Sequence, residues 1–143
     1  MAKRRKSEDL ARTLAVEAAR LAEDTHCEEI LVLDLRGRSP VTDYFVIATG
    51  TSDRQMRSVA QDIEQIGKGL GSRVWNVAGR DSAHWVVLDF VDVVVHLFDQ
   101  EYRHYYDLEL LWGDAPRVRW RRRKSAAKAE DAQTGDESAA EEE

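Results

Sequence analysis

The sequence predicts an α/β domain in which about five strands form one sheet and three helices supply a second layer. Three observations carry this expectation. Apolar spacing along residues 7–120 switches between a period near 3.6 and a period of two, in the order α-β-β-α-β-β-β-α. At 143 residues, 43% hydrophobic and 34% charged, the chain can bury one core. From Arg121 to Glu143 there is no Val, Ile, Leu, Met or aromatic residue. That end cannot offset its ordering entropy and is expected as a disordered charged tail. The basic residues 1–6 are expected to be loose.

Leu10, Leu14, Ala18 and Leu21 recur at helical spacing, and Ser7 is placed to cap that first helix. Glu29 to Leu35 reads as a strand, and Arg36 to Pro40 as a turn. Asp43 to Gly50 is apolar on both faces, as in an interior strand. Ser52 and Gln55 have capping-box spacing for a second helix. Met56, Val59, Ala60, Ile63 and Ile66 give that helix an apolar stripe, and Gly67, Gly69 and Gly71 end it. Arg73 to Val77 is a short strand. His84 to Phe90 and Val93 to Phe98 form an antiparallel hairpin around Val91-Asp92. Asp99 caps a last helix carrying Tyr102, Tyr105, Leu108 and Trp112, stopped by Gly113.

Most catalytic chemistry lacks its residue pattern. The histidines at 26, 84, 96 and 104 do not fall at metal-ligand spacing. Gly67 to Gly71 follows a helix, whereas a dinucleotide loop follows a strand. Gly50-Thr51-Ser52-Asp53 sits after a strand and can hold an anion, or simply cap a helix. Asp34 with Asp43, and Asp89 with Asp92, are carboxylate pairs of the kind that hold Mg²⁺, without an accompanying nucleotide loop. The expectation is no enzyme, no cofactor and no metal. The apolar runs are too short for a membrane helix, the opening residues do not read as a secretory leader, and the single Cys27 suits a reducing cytoplasm.

Charge points to a protein partner. Residues 9–120 carry 12 basic and 19 acidic side chains, which suits a basic protein better than nucleic acid. Only Arg121, Arg122, Arg123 and Lys124 form a basic block able to touch RNA, and such a run also reads as solvated charge. In the hairpin, Val86, Leu88 and Phe90 point one way with Val93, Val95 and Leu97. Trp85, Val87 and Asp89 point the other way, with Asp92, Val94 and His96. If helices cover one face only, this second, mixed set faces water, and an aromatic with apolar neighbours and a polar rim is the make-up of a binding hot spot. Trp75 can extend it.

Four stretches then form a recognisable series: Asp34 to Ser39 (DLRGRS), Thr42 to Ser52 (TDYFVIATGTS), Ser82 to Phe98 (SAHWVVLDFVDVVVHLF) and Tyr106 to Trp112 (YDLELLW). From about Leu10 to Trp112 the chain closely resembles the ribosomal silencing factor family, RsfS, also called the Iojap family. The resemblance implies a mixed five-stranded sheet flanked by helices, a nucleotidyltransferase-like fold without catalytic residues. It also implies binding to the large ribosomal subunit through its protein L-fourteen, steric exclusion of the small subunit, repression of translation, and homodimers of the free factor. Joined to strand alternation, it makes Trp85 the expected central anchor with Val87, Val94 and Trp75 around it. Asp89, Asp92 and His96 form the polar part, His96 lending pH sensitivity. The alternative is a nucleotide-binding protein related to nucleotidyltransferases.

Overall fold

The computed structural model describes residues 2–81, 84–107 and 112–122. Its elements run α1 (Ala2–Asp24), β1 (Glu28–Asp34), β2 (Tyr44–Thr49), α2 (Asp53–Gly69), β3 (Asn76–Ala78), β4 (Trp85–Asp89), β5 (Val93–Phe98) and α3 (Gln100–Tyr106). The strands form one mixed sheet in the order β1-β2-β5-β4-β3. Only β2 and β5 pair in parallel, with Phe45 opposite Val94 and Ile47 opposite His96. The other neighbours are antiparallel.

The sheet's two faces are unequal. One lies under α1 and α2 and holds the main core: Val32, Tyr44, Val46, Ala48, Val86, Leu88, Val93, Val95 and Leu97. α1 meets it through Ala11, Leu14, Ala15, Ala18, Ala19 and Ala22, so small side chains let the helix lie close. Of the expected stripe, Leu14 and Ala18 are buried, Leu21 packs partly exposed against this core and Leu10 stays partly exposed. α1 also starts ahead of Ser7, which lies inside it instead of capping it. The Lys and Arg residues at 3–6 are good helix formers with no breaker among them, so the backbone is already helical at Ala2.

α2 follows the expected stripe, with Met56, Val59, Ala60 and Ile63 buried. Its N-cap Ser52 accepts from the Gln55 N–H at 3.1 Å, and the Gln55 side chain accepts from the Thr51 N–H at 2.7 Å. Gly50 has a packing reason: a Cβ there would lie 2.1 Å from Met56 Cγ. After Gly69 the chain turns through Gly71 in the left-handed region, at φ +83°.

The opposite face carries a smaller cluster of Leu33, Leu35, Ile47, Phe98 and Ala115, with Phe45, Trp85, Tyr102 and Trp112 packed on it. α3 is shorter than expected. Asp99 caps it by accepting from the Tyr102 N–H, and Asp107 ends it in the left-handed region at φ 47°. Aspartate tolerates that conformation, and α3 stops at Tyr106, ahead of the expected Gly113. Trp112 lies in a turn, while Leu108 falls outside the described residues. Beyond it, the Asp34 N–H donates to Pro116 O and the Val118 N–H to Val32 O, which covers the outer edge of β1. Val118 and Trp120 bury against the main core, and Arg20 donates to Trp120 O at 2.7 Å.

Candidate functional site

On the face away from α1 and α2 lies a cleft of about 410 Å³. Its walls are Val41, Thr42, Phe45, Trp75, Asp89, Val91, Val94 and His96. Three strands and three connecting segments build it. Phe45 on β2 and Val94 on β5 are register partners and share the face. His96 follows two residues along β5. Asp89 ends β4. Trp75 is tethered beside β4 by its N–H, which donates to Asp89 O at 2.7 Å. Its indole is nonetheless 72% exposed.

The hairpin turn supplies the rim. Phe90 N–H donates to Val93 O, leaving Val91-Asp92 as a two-residue loop. Val91 stands at φ 77°, left-handed backbone that a β-branched residue rarely adopts. The Asp89 carboxylate holds it there by accepting the Val91 N–H at 2.7 Å. The result is a valine side chain displayed at 53% exposure.

His96 lies at the bottom, 7% exposed. Its Nδ1 accepts from the Trp85 indole N–H at 3.1 Å, and Phe45 packs edge-on at 4.5 Å between ring centroids. Burial pushes its pKa down from 6.5 to about 4, so the ring is neutral near pH 7. The expected pH sensitivity of this contact around neutrality is therefore corrected: desolvation removes the titration from that range.

Of the residues singled out from the sequence, Trp75, Asp89, Val94 and His96 come together in the cleft. Trp85, Val87 and Asp92 do not line it. Alternation does place Trp85 on the expected face, but its β5 partner there is Phe98, on which it stacks at 4.9 Å. With its N–H bonded to His96 and the ring half-buried, Trp85 supports the cleft's floor and is not its exposed centre. Val87 is half-buried opposite His96. Asp92 is exposed in the turn, where its carbonyl accepts from the Asp43 and Tyr44 N–H groups. Val41, Thr42, Phe45 and Val91 were not singled out. Phe45 had a signal, since it alternates with the buried Tyr44 and Val46, but a strand apolar on both faces hides which side is open.

The other candidate sites are accounted for within the fold. Asp34 is held by Arg36 through two hydrogen bonds, at 2.9 and 2.7 Å, and the guanidinium keeps its carboxyl below the ordinary range. The Gly50 N–H donates to Phe98 O and the Thr51 N–H to Gln55, so this loop caps α2. Burial raises the Cys27 thiol to about 11, which disfavours the thiolate a nucleophile needs. Among the described residues no three His, Cys, Asp or Glu gather as metal ligands, and no helix is long and apolar enough to cross a membrane.

A sheet with α1 and α2 on one face and an apolar cleft holding a few polar groups on the other offers a recognition surface. Comparison with known proteins gives the family. A family model described as "Ribosomal silencing factor during starvation" matches residues 8–143. The ribosomal silencing factor RsfS of Bacillus subtilis is 46% identical over 99 residues, 69% of this chain and 84% of that protein. A crystal structure of a Chromobacterium violaceum protein superposes with a TM-score of 0.69 at 28% identity, covering 81% of this chain and 96% of that one. A crystal structure from Bacillus halodurans gives 0.62 at 34% identity, covering 75% and 94%. The chain belongs to the ribosomal silencing factor family, RsfS, and with it to the regulators of translation.

Proposed function

We propose that this protein acts in the cytoplasm by docking its cleft face on the large ribosomal subunit, against the protein L-fourteen. Held there, its folded body fills volume that the small subunit needs, and translation is repressed without any chemical step. The observation that supports this most is the cleft itself: an exposed Trp75 and a strained Val91 on its rim, with neutral His96 beneath. About 800 Å² per partner suffices for a specific complex, and the cleft with its rim is a reasonable centre for such a patch. The acidic body favours encounter with a basic ribosomal protein.

The basic block has a smaller part in this reading. Arg122 pairs with Asp24 through two hydrogen bonds, and Arg121 lies 3.5 Å from Glu23. Both guanidinium groups thus meet carboxylates of α1, while Arg123 and Lys124 lie outside the described residues. In the free protein, a second copy is proposed to cover the same face.

The test is to pellet the purified protein with separated large and small subunits, then recombine the subunits. Co-pelleting with the large subunit alone, and failure of seventy-S particles to re-form, are expected. Full re-formation with the protein in excess would refute the reading.

A further inference from the structure

The cleft contains two polar atoms that the fold leaves unpaired. Thr42 Oγ1 and His96 Nε2 are buried and have no hydrogen-bond partner among the described residues. Thr42 is 5% and His96 7% exposed, and both line the cleft. A buried polar group without a partner is destabilising, so two in one cleft need a reason.

Their chemistry defines what would satisfy them. The Trp85 N–H occupies His96 Nδ1. The neutral ring therefore carries its proton on Nε2, and the unpaired atom is a donor. The Thr42 hydroxyl can donate or accept. Around them the walls are Val41, Phe45, Val91 and Val94, with the Asp89 carboxylate at one side. An anionic acceptor would meet Asp89 and the acidic body, so a neutral one fits better.

We propose that the cleft takes an apolar side chain from a loop of the basic partner, while a neutral acceptor on that loop, a backbone carbonyl or a hydroxyl, receives the His96 Nε2–H and pairs with Thr42. This rests on the docking reading above and adds the chemistry of the contact. Trp85 is a positioning residue in it, since its N–H fixes which nitrogen of His96 donates.

The test uses the full chain, purified large subunits, and three variants: Thr42→Val, His96→Leu and Trp75→Ala. Thr42→Val keeps the shape and removes the hydroxyl. It is expected to fold at least as stably as the parent and to bind large subunits about tenfold more weakly, the equivalent of about 1.4 kcal/mol. His96→Leu is expected to weaken binding at least as much, and His96→Gln, which keeps an N–H donor, to restore most of it. If His96→Leu does not fold, Thr42→Val decides. Unchanged binding by Thr42→Val and His96→Leu, with loss by Trp75→Ala, would overturn the polar pairing and leave docking in place. Unchanged binding by all three would overturn docking as well. Weakened self-association with normal subunit binding would make a second copy the occupant and overturn the assignment to a ribosomal loop.

Discussion

His96 makes the stability of this domain depend on pH in a range where histidine is usually harmless. In the unfolded chain its imidazole titrates near 6.5, and in the fold burial lowers that to about 4. Between these values the unfolded chain holds a proton that the native ring does not, so stability falls as pH falls. The stabilisation is fully present above pH 6.5 and is lost progressively down to pH 4. At about 1.4 kcal/mol for each pH unit, the interval amounts to roughly 3 kcal/mol. That is a large part of the 5–15 kcal/mol typical of a small domain. Urea unfolding of the parent and of His96→Leu at intervals from pH 7.5 to 4 isolates it, because the carboxylates titrate in both. The parent is expected to lose roughly 3 kcal/mol more than the variant over this range. Parallel curves, or the His96 resonance titrating near 6.5 in the folded parent, would refute the reasoning. Binding to large subunits, by the same logic, is expected to stay flat from pH 6.5 to 8 as far as His96 is concerned.

Four further outcomes are expected. Trp75→Ala leaves urea stability nearly unchanged, since the indole is exposed, but weakens co-sedimentation with large subunits by about 2 kcal/mol or more. Val91→Asn relieves the left-handed strain and raises stability by about 1 kcal/mol, while loss of the apolar rim weakens docking. Gly50→Ala drives a methyl into Met56 and lowers stability by about 1–3 kcal/mol in the same unfolding assay. His84, bonded to Asp99 at 2.6 Å, titrates above the ordinary imidazole value, and Asp99→Asn brings it down while still capping α3. The His84–Asp99 pairing stabilises at low pH and fades as pH rises through that raised value, which proton NMR of the imidazole would follow.

The fold was legible wherever one face of an element is buried and the other wet. α2 and the β4–β5 hairpin are such elements, and their apolar and mixed sets fall on the faces that alternation assigns. The errors came from partners distant in sequence. The hairpin register already sets Phe98 opposite Trp85, but nothing near Trp85 reveals that Tyr102 and Trp112 will return to the same face. α1 misled for a different reason: six small or branched residues bury along a stripe richer in alanine than leucine, and alanine carries little periodic signal. Within the cleft, Trp75, Asp89, Val94 and His96 were visible as residue types on one face. Thr42 and Val41 sit in an irregular loop where no period applies, and Val91 is displayed only through a backbone angle.

The cleft also departs from what stability alone would select. A valine at position 42 would remove an unpaired hydroxyl, an apolar residue at 96 would remove an unpaired N–H, and asparagine at 91 would adopt φ 77° with less strain. Each change is worth about 1–3 kcal/mol by ordinary magnitudes, although an apolar residue at 96 would also leave the Trp85 indole N–H without its acceptor. Defects of the same kind also lie elsewhere, among them the unpaired Tyr44 hydroxyl in the main core and the left-handed backbone at His26 and Glu29. These three nonetheless line a single cleft, beside an exposed tryptophan, on the face away from α1 and α2. In the proposed docked complex the partner relieves two of them by hydrogen bonding and uses the third as contact surface. The stability given up by the free protein is thereby recovered in the complex, which ties the cleft's energetics to docking and not to folding.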